Sequence, residues 1–204
     1  VNMNRKVILA INVALTIIAV FLVFKIYRLI MEPIEFDKMR DKKFEVVKES
    51  LINIRQAQLS YKAEYGQFCG DVDVLSAFVD TGAVTIVERK DTSFMSYNQT
   101  YQKDMMKDSV IVRTIGTVSV KKNIFGEDFD VNTITYIPFS DNKKFEVGAG
   151  VIERNTVKVP VFQAVATDES ILFGIEERFL TYIDKSHSLV VGSLTEPTIS
   201  GNWQ

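Results

Sequence analysis

The pattern of apolar and polar positions changes twice along the chain. From Val7 to Phe24 there are 18 consecutive residues without a charge, and the apolar character continues through Ile26, Tyr27, Leu29, Ile30 and Met31. From Ile34 to Tyr65 the apolar residues recur at spacings of three and four, with no Gly or Pro. Beyond Gly82 the dominant period becomes two. These regimes predict a membrane-crossing helix, a long amphipathic helix, and a domain of mostly antiparallel strands. The expected class is α+β, with the transmembrane helix continuing into the amphipathic one and the latter packed on an antiparallel sheet. The expected boundaries are a short flank over 1–6, the span over 7–31, the spine helix over 32–68 and the α+β domain over 69–204. An extended C-terminal tail is expected over 195–204.

At about 1.5 Å per residue, the uncharged run covers roughly 27 Å of a hydrocarbon core about 30 Å thick. Val7, Leu15, Phe21 and Phe24 are expected to face lipid, with Tyr27 at headgroup level. Lys25 and Arg28 can snorkel to the interface. A cleaved signal peptide is disfavoured. The run exceeds the usual h-region, and bulky FKIYRLIMEP stands where a peptidase needs small residues. A buried soluble helix is disfavoured because the run is apolar on every face. Asn12 and Thr16 are the only polar residues inside it, and Asn12 is a candidate contact to a partner helix. Basic residues flank both ends, and a raw count would keep the C-terminal domain in the cytoplasm. Long domains, however, translocate regardless of charge, and a periplasmic domain is expected.

Pro33 follows the span and either opens a helix or kinks a continuous one. Phe44, Val47, Leu51, Ile54, Gln58, Tyr61, Tyr65 and Phe68 then form a heptad-like seam. Val46, Ile52 and Leu59 make a partial second stripe. Gly66 sits at a left-handed C-cap position. The helix would span about 32 residues, near 48 Å. Its two stripes leave two readings open. Both could be domain core, or one could meet a partner helix, with Phe44, Val47, Leu51, Ile54 and Tyr61 as candidate contacts. Next, Asp71 is the expected N-cap of a short helix through Val74, Leu75, Phe78 and Val79, closed by Gly82.

This layout of an apolar span, a helix ending in IRQAQLSYKAEYGQF, a DxDxLxxFxxxG segment and a β-rich domain resembles bacterial type IV pilin-like proteins and secretion-system pseudopilins. The resemblance covers roughly residues 7–90. It implies an anchor that continues as a spine under a β-sheet, and an envelope location. The chain departs from the family pattern in lacking a Gly-Phe cleavage site before the span. Ile11 stands where the family carries its assembly glutamate.

In the remainder, Ala83 to Glu88 reads as a strand. Residues 90–108 read as a polar surface excursion with a short helix near Tyr101 to Met106. Asn98-Gln99-Thr100 is a glycosylation sequon of low specificity. Strands are expected at Val110 to Ile115, Thr117 to Lys121, Asn132 to Ile137, Lys143 to Gly148, Val151 to Glu153 and Lys158 to Val165, as one antiparallel meander. Asp168 is expected to cap a helix reaching Ile183, weakened at Gly174, before a last strand from Ser188 to Leu194. Trp203 either plugs a pocket on its own domain or contacts another chain.

Composition narrows the chemistry. The chain has 204 residues, one Cys, one His and net charge −2. Single Cys and His residues exclude an internal disulfide, a Cys-rich zinc site and H-E-x-x-H. Residues 33–204 carry 20 basic and 25 acidic residues, net −5, so bulk charge gives no reason to expect nucleic acid. Asp128, Asp130 and Asn132 lack the Gly and Glu of an EF-hand, since Thr133 and Phe139 occupy those places. Alternation with Phe129 and Val131 reads instead as a strand. A Cys69–His187 nucleophile pair would need a contact that spacing does not supply. Gly148-Ala-Gly150 reads as a bulge or turn. No catalytic residue, cofactor or metal ligand is expected.

The expectation is a non-enzymatic structural or scaffold subunit of a bacterial envelope assembly, single-pass in the inner membrane. Its partners would be the lipid bilayer and other membrane or envelope subunits, copies of itself included. The alternative is a membrane-tethered ligand-binding or sensory domain without an output domain of its own. A pocket lined by convergent polar groups would favour that alternative.

Overall fold

A computed structural model describes residues 5–98, 100 and 102–203. Residues 1–4 of the N-terminal flank, Gln99 of the sequon, Tyr101 and Gln204 lie outside the described residues, as does the side chain of Val7. The chain is α+β, with one long helix and two antiparallel sheets.

Helix α1 (Arg5–Tyr65) runs unbroken for 61 residues, about 90 Å. Its N-terminal part is long and apolar enough to cross a membrane. Leu15, Phe21, Phe24 and Tyr27 are all more than half exposed there. Asn12 is exposed, and its carbonyl accepts a hydrogen bond from the Thr16 hydroxyl at 2.9 Å. Pro33 stands inside the helix rather than opening a new one. It removes the N–H that would have bonded the Leu29 carbonyl, where Arg28 and Glu32 pair at 2.8 Å.

From Phe36 onward one face of α1 is buried. Val47, Leu51, Ile54, Ala57 and Gln58 are fully buried, and Phe44 nearly so. The seam is therefore this chain's own core. Phe44, Val47, Leu51 and Ile54 are correspondingly withdrawn from contact with any partner chain. The spacing showed a buried stripe but not what covers it. The second stripe behaves differently, since Val46 and Leu59 are about two-fifths exposed. Gly66 ends the helix at φ 76°, donating to the Lys62 carbonyl at 2.8 Å.

The seam packs on the sheet of β3 (Glu146–Arg154), β4 (Val157–Thr167) and β5 (Ser188–Gly192), in the order β3-β4-β5. Its inner face is built from cross-strand rows: Val147–Ala164–Val191, Ala149–Phe162 and Ala166–Leu189. Alternate β4 residues Phe162, Ala164 and Ala166 are fully buried, the alternation a one-sided sheet requires. Pro160 lies where β4 has only β3 beside it, because β5 pairs from Gln163 onward. Gly148 and Gly150 fall within regular β3 pairing, not at a bulge or turn. Any side chain at 148 would touch Leu194 of the tail.

Helix α2 (Val72–Thr81) has the expected cap: the Asp71 carboxylate accepts from the amides of Asp73 and Val74 at 2.7 and 3.3 Å. Other expectations fail, among them the single meander, which is two separate sheets. The region read as a polar excursion is the paired part of an antiparallel hairpin, β1 (Ala83–Asn98) and β2 (Lys103–Ser119), with strand and not helix at 103–106. Pairs such as Met95–Met106 and Glu88–Arg113 join residues distant in sequence, so no local period announces them. Asn132 opens a single helical turn, α3 (Asn132–Thr135), because the Asp130 carboxylate accepts from its amide at 3.0 Å. The helix at Asp168 stops after one turn, α4 (Asp168–Ile171). Gly174 at φ 71° then redirects the chain into a 3₁₀ turn at Glu177–Tyr182. Finally, β5 ends at Gly192 rather than Leu194, where φ is 77° and a Cβ would sit 2.3 Å from the Phe162 carbonyl oxygen.

Gln58 joins spine and domain. Its amide nitrogen donates to the Cys69 carbonyl at 2.7 Å, and its amide oxygen accepts from the Cys69 N–H at 2.9 Å. Gln58 and Cys69 are both buried. Gln58→Ala strands two buried backbone groups, each costing about 1–3 kcal/mol. The expected loss is about 2–5 kcal/mol in urea unfolding, and a loss below about 1 kcal/mol would contradict this role.

Candidate functional site

A concave site lies where α1 meets the C-terminal tail. It is a cleft of about 400 Å³ walled by Phe36, Arg40 and Phe44 from the helix, Asp168, Tyr182 and His187 from the domain, and Trp203 from the tail. That volume is within the range of small-molecule sites.

Each wall has a local cause. Phe36 and Phe44 are two turns apart on the seam and both buried. Arg40 lies between them, with its guanidinium 5.9 and 5.8 Å from the two ring centres and its charge paired to Asp37 and Asp41. Asp168 follows β4 directly and His187 precedes β5, so adjacent strands bring them together. His187 Nδ1 lies 2.8 Å from Asp168 Oδ1. The imidazole stacks on Phe44, with ring centres 6.1 Å apart and planes within 5°. The Asp168 side chain is only 6% exposed against 47% for His187, so the carboxylate orients a ring that reaches the cleft. Burial pushes the Asp168 carboxyl up from its ordinary value, and the bond with His187 draws it partly back.

The tail is zipped onto β5. Asn202 donates its amide N–H to the Val190 carbonyl at 3.0 Å. Its side chain accepts from the Val190 N–H at 3.1 Å and donates to the Ser188 carbonyl at 2.8 Å. Trp203 consequently folds back on its own domain. It lies over Gly201, where a Cβ would come within 2.5–2.7 Å of the indole ring.

Of the residues singled out from sequence, Phe44 and Trp203 share this cleft. Val47, Leu51 and Ile54 lie in the core. Tyr61 is half-buried against Tyr65 and Phe78, with centres 4.5 and 5.1 Å apart. Asn12 is on the apolar part of α1. Cys69 and His187 are not brought together. Cys69 is held at Gln58, about 21 Å further along α1 than Phe44. Its thiol donates to the Asp71 carbonyl at 3.1 Å and is pushed up by burial. The Asp128–Asn132 segment is a turn whose Asp130 carboxylate is used on Asn132. Among the described residues no group of three or more His, Cys, Asp or Glu could hold a metal ion.

The His187–Asp168 pair was missed in the sequence because its members are 19 residues apart and Asp168 reads as a cap. An Asp at a strand's end and a His at the next strand's start is the signal that could have found it. The pair resembles a base with its orienting carboxylate. Ser, Thr and Cys are absent from the residues lining the cleft, so the pair has no aliphatic hydroxyl or thiol there to activate.

No protein-family model, no curated protein and no solved structure matches this chain.

A second feature is an exposed surface rather than a cleft. The β1–β2 hairpin is about 54 Å long and, among the described residues, has no further strand beside it. Phe94, Met95, Tyr97, Met106, Val110, Ile111, Val112 and Ile115 are each about half exposed or more. Its root is fixed to the helix: the Glu64 carboxylate accepts from the Thr85 amide at 3.1 Å and from its hydroxyl at 3.2 Å.

Two outcomes test this geometry. Trp203 is the sole tryptophan, so Gly201→Ala should drive it off the domain and shift its fluorescence emission to the red. An unchanged spectrum would mean the tail is not seated as described. Asp168 has a folded pKa above its unfolded one. Its stability contribution is therefore full below the unfolded value and lost as pH rises through the folded value. Asp168→Asn should gain on the native protein in thermal unfolding as pH rises through the acid range. A difference that is flat with pH would contradict the assigned burial cost.

Proposed function

We propose that this protein is a single-pass, membrane-anchored structural subunit of a bacterial envelope assembly. The anchor would lie in the inner membrane and the α+β domain in the periplasm. The observation that carries the reading is the bare β1–β2 hairpin. A two-stranded ribbon alone in water is marginal, and three or more strands or a packed helix are normally needed. Exposed apolar patches of this kind mark interaction surfaces on soluble domains. The fully exposed apolar stretch of α1 supports lipid as one neighbour. The hairpin, rooted about 50 Å along the helix beyond Met31, supports a protein as a second neighbour. The resemblance of the sequence layout to pilin-like proteins implies the same role for a spine helix under a small sheet.

The cleft favours one secondary reading, a membrane-tethered ligand-binding domain, because charged and aromatic side chains converge there.

The 204-residue chain, expressed in membranes and extracted in mild detergent, should run well above its 23.2 kDa monomer mass in detergent-corrected light scattering. A strict monomer would overturn the assembly reading and leave the cleft as the better lead.

A further inference from the structure

The hairpin has two open edges, and they are unequal. Along β1, Glu88, Arg89, Lys90 and Asp91 form an unbroken run of charge. Two copies of a strand paired antiparallel about a two-fold axis place one residue opposite itself. Any β1 register centred within 88–91 therefore sets a charge against its own copy, which is destabilising. The start of this edge is also occupied, because Glu64 holds the Thr85 amide.

The β2 edge carries the opposite pattern. Ser109, Val110, Ile111 and Val112 are uncharged and rich in β-branched residues. Every β2 residue from Val110 to Thr117 is exposed. Centring a two-fold on Ile111 pairs Ile111 with itself, Val110 with Val112, Ser109 with Arg113 and Asp108 with Thr114. No like charges oppose each other in this window. On one face the two copies bring four valines together, flanked by Arg89 and Asp91 of each hairpin, the cross-strand neighbours of Val112 and Val110. The window ends at a bulge, since Ile115 is the extra residue between the Ile86–Gly116 and Val87–Thr114 pairs.

We propose that the β2 edge pairs antiparallel with β2 of a second copy of this chain, centred on Ile111. The resulting four-stranded sheet has the order β1-β2-β2-β1. This rests on the assembly reading above and names the neighbour as the chain itself. Pairing converts two marginal ribbons into one sheet and leaves the charged β1 edges outermost, where charge blocks further addition. The closed symmetry limits this contact to two copies.

The test is a disulfide. Directly opposed residues have Cα atoms about 4.5–5.5 Å apart, inside the roughly 4.4–6.8 Å range of disulfides. Ile111→Cys in the full-length, membrane-embedded protein should form a covalent dimer on mild oxidation. Ser93→Cys on β1 would lie three strand spacings, about 14 Å, from its copy across the sheet and about 20 Å from it along the strands, and should not. The native protein is the blank, its Cys69 being buried. As an independent arm, Ile111→Lys sets lysine against lysine at the centre and should halve the mass of the detergent-extracted dimer while circular dichroism stays unchanged. Equal cross-linking at 93 and 111 overturns the proposal, as does none at 111 in folded protein. If the Ile111→Cys variant stays unlinked but its mass still exceeds a monomer, self-pairing falls and the assembly reading stands. A strict monomer removes both.

Discussion

The structure depends on one buried stripe of one helix. Val47, Leu51, Ile54, Ala57 and Gln58 lose all contact with water in a core that the β3-β4-β5 sheet and the short helices around it share with α1. This burial is the main stabilising contact between a segment suited to lipid and a domain suited to water. It also decides what remains outside. Among the described residues the apolar half of α1 has no protein cover, the second stripe of the spine is partly exposed, and the hairpin is rooted near the far end at Glu64.

The cleft and the hairpin are both products of that packing. Strands β4 and β5 set Asp168 beside His187, and the seam supplies the aromatic wall against which the imidazole stacks. The tail closes the site because Asn202 reproduces strand pairing along β5. At the other end, the Glu64–Thr85 bonds fix where the ribbon leaves the helix without extending it into the core. The same chain thus joins a well-satisfied domain to a surface with many unsatisfied apolar contacts.

Legibility in the sequence followed the range of the interaction. The uncharged run, the three-four spacing of the seam, the Asp71 cap and the Gly66 stop are local, and each stands where the residues indicated. The hairpin tip was misread because its polar character is real on each strand. Only the pairing of Met95 with Met106 makes it a ribbon. Asn132 to Ile137 has β-branched composition, yet one carboxylate at Asp130 turned it into a helical turn. The seam's owner was equally hidden, since a buried stripe looks the same whether a sheet or a second helix covers it. The His187–Asp168 contact belongs wholly to tertiary structure.

Helix α1 passes from its apolar part into the domain without a break, Pro33 included. The apolar part and the domain therefore share one angular phase. The face of the helix that carries Asn12 and Thr16 in the apolar part stands at a set azimuth to the face that carries the sheet. Each residue added between Met31 and Phe36 would turn the domain by about 100° about the helix axis and lift it about 1.5 Å. The length of this junction thus acts as an angular setting that decides which way the hairpin points relative to the apolar part of the helix.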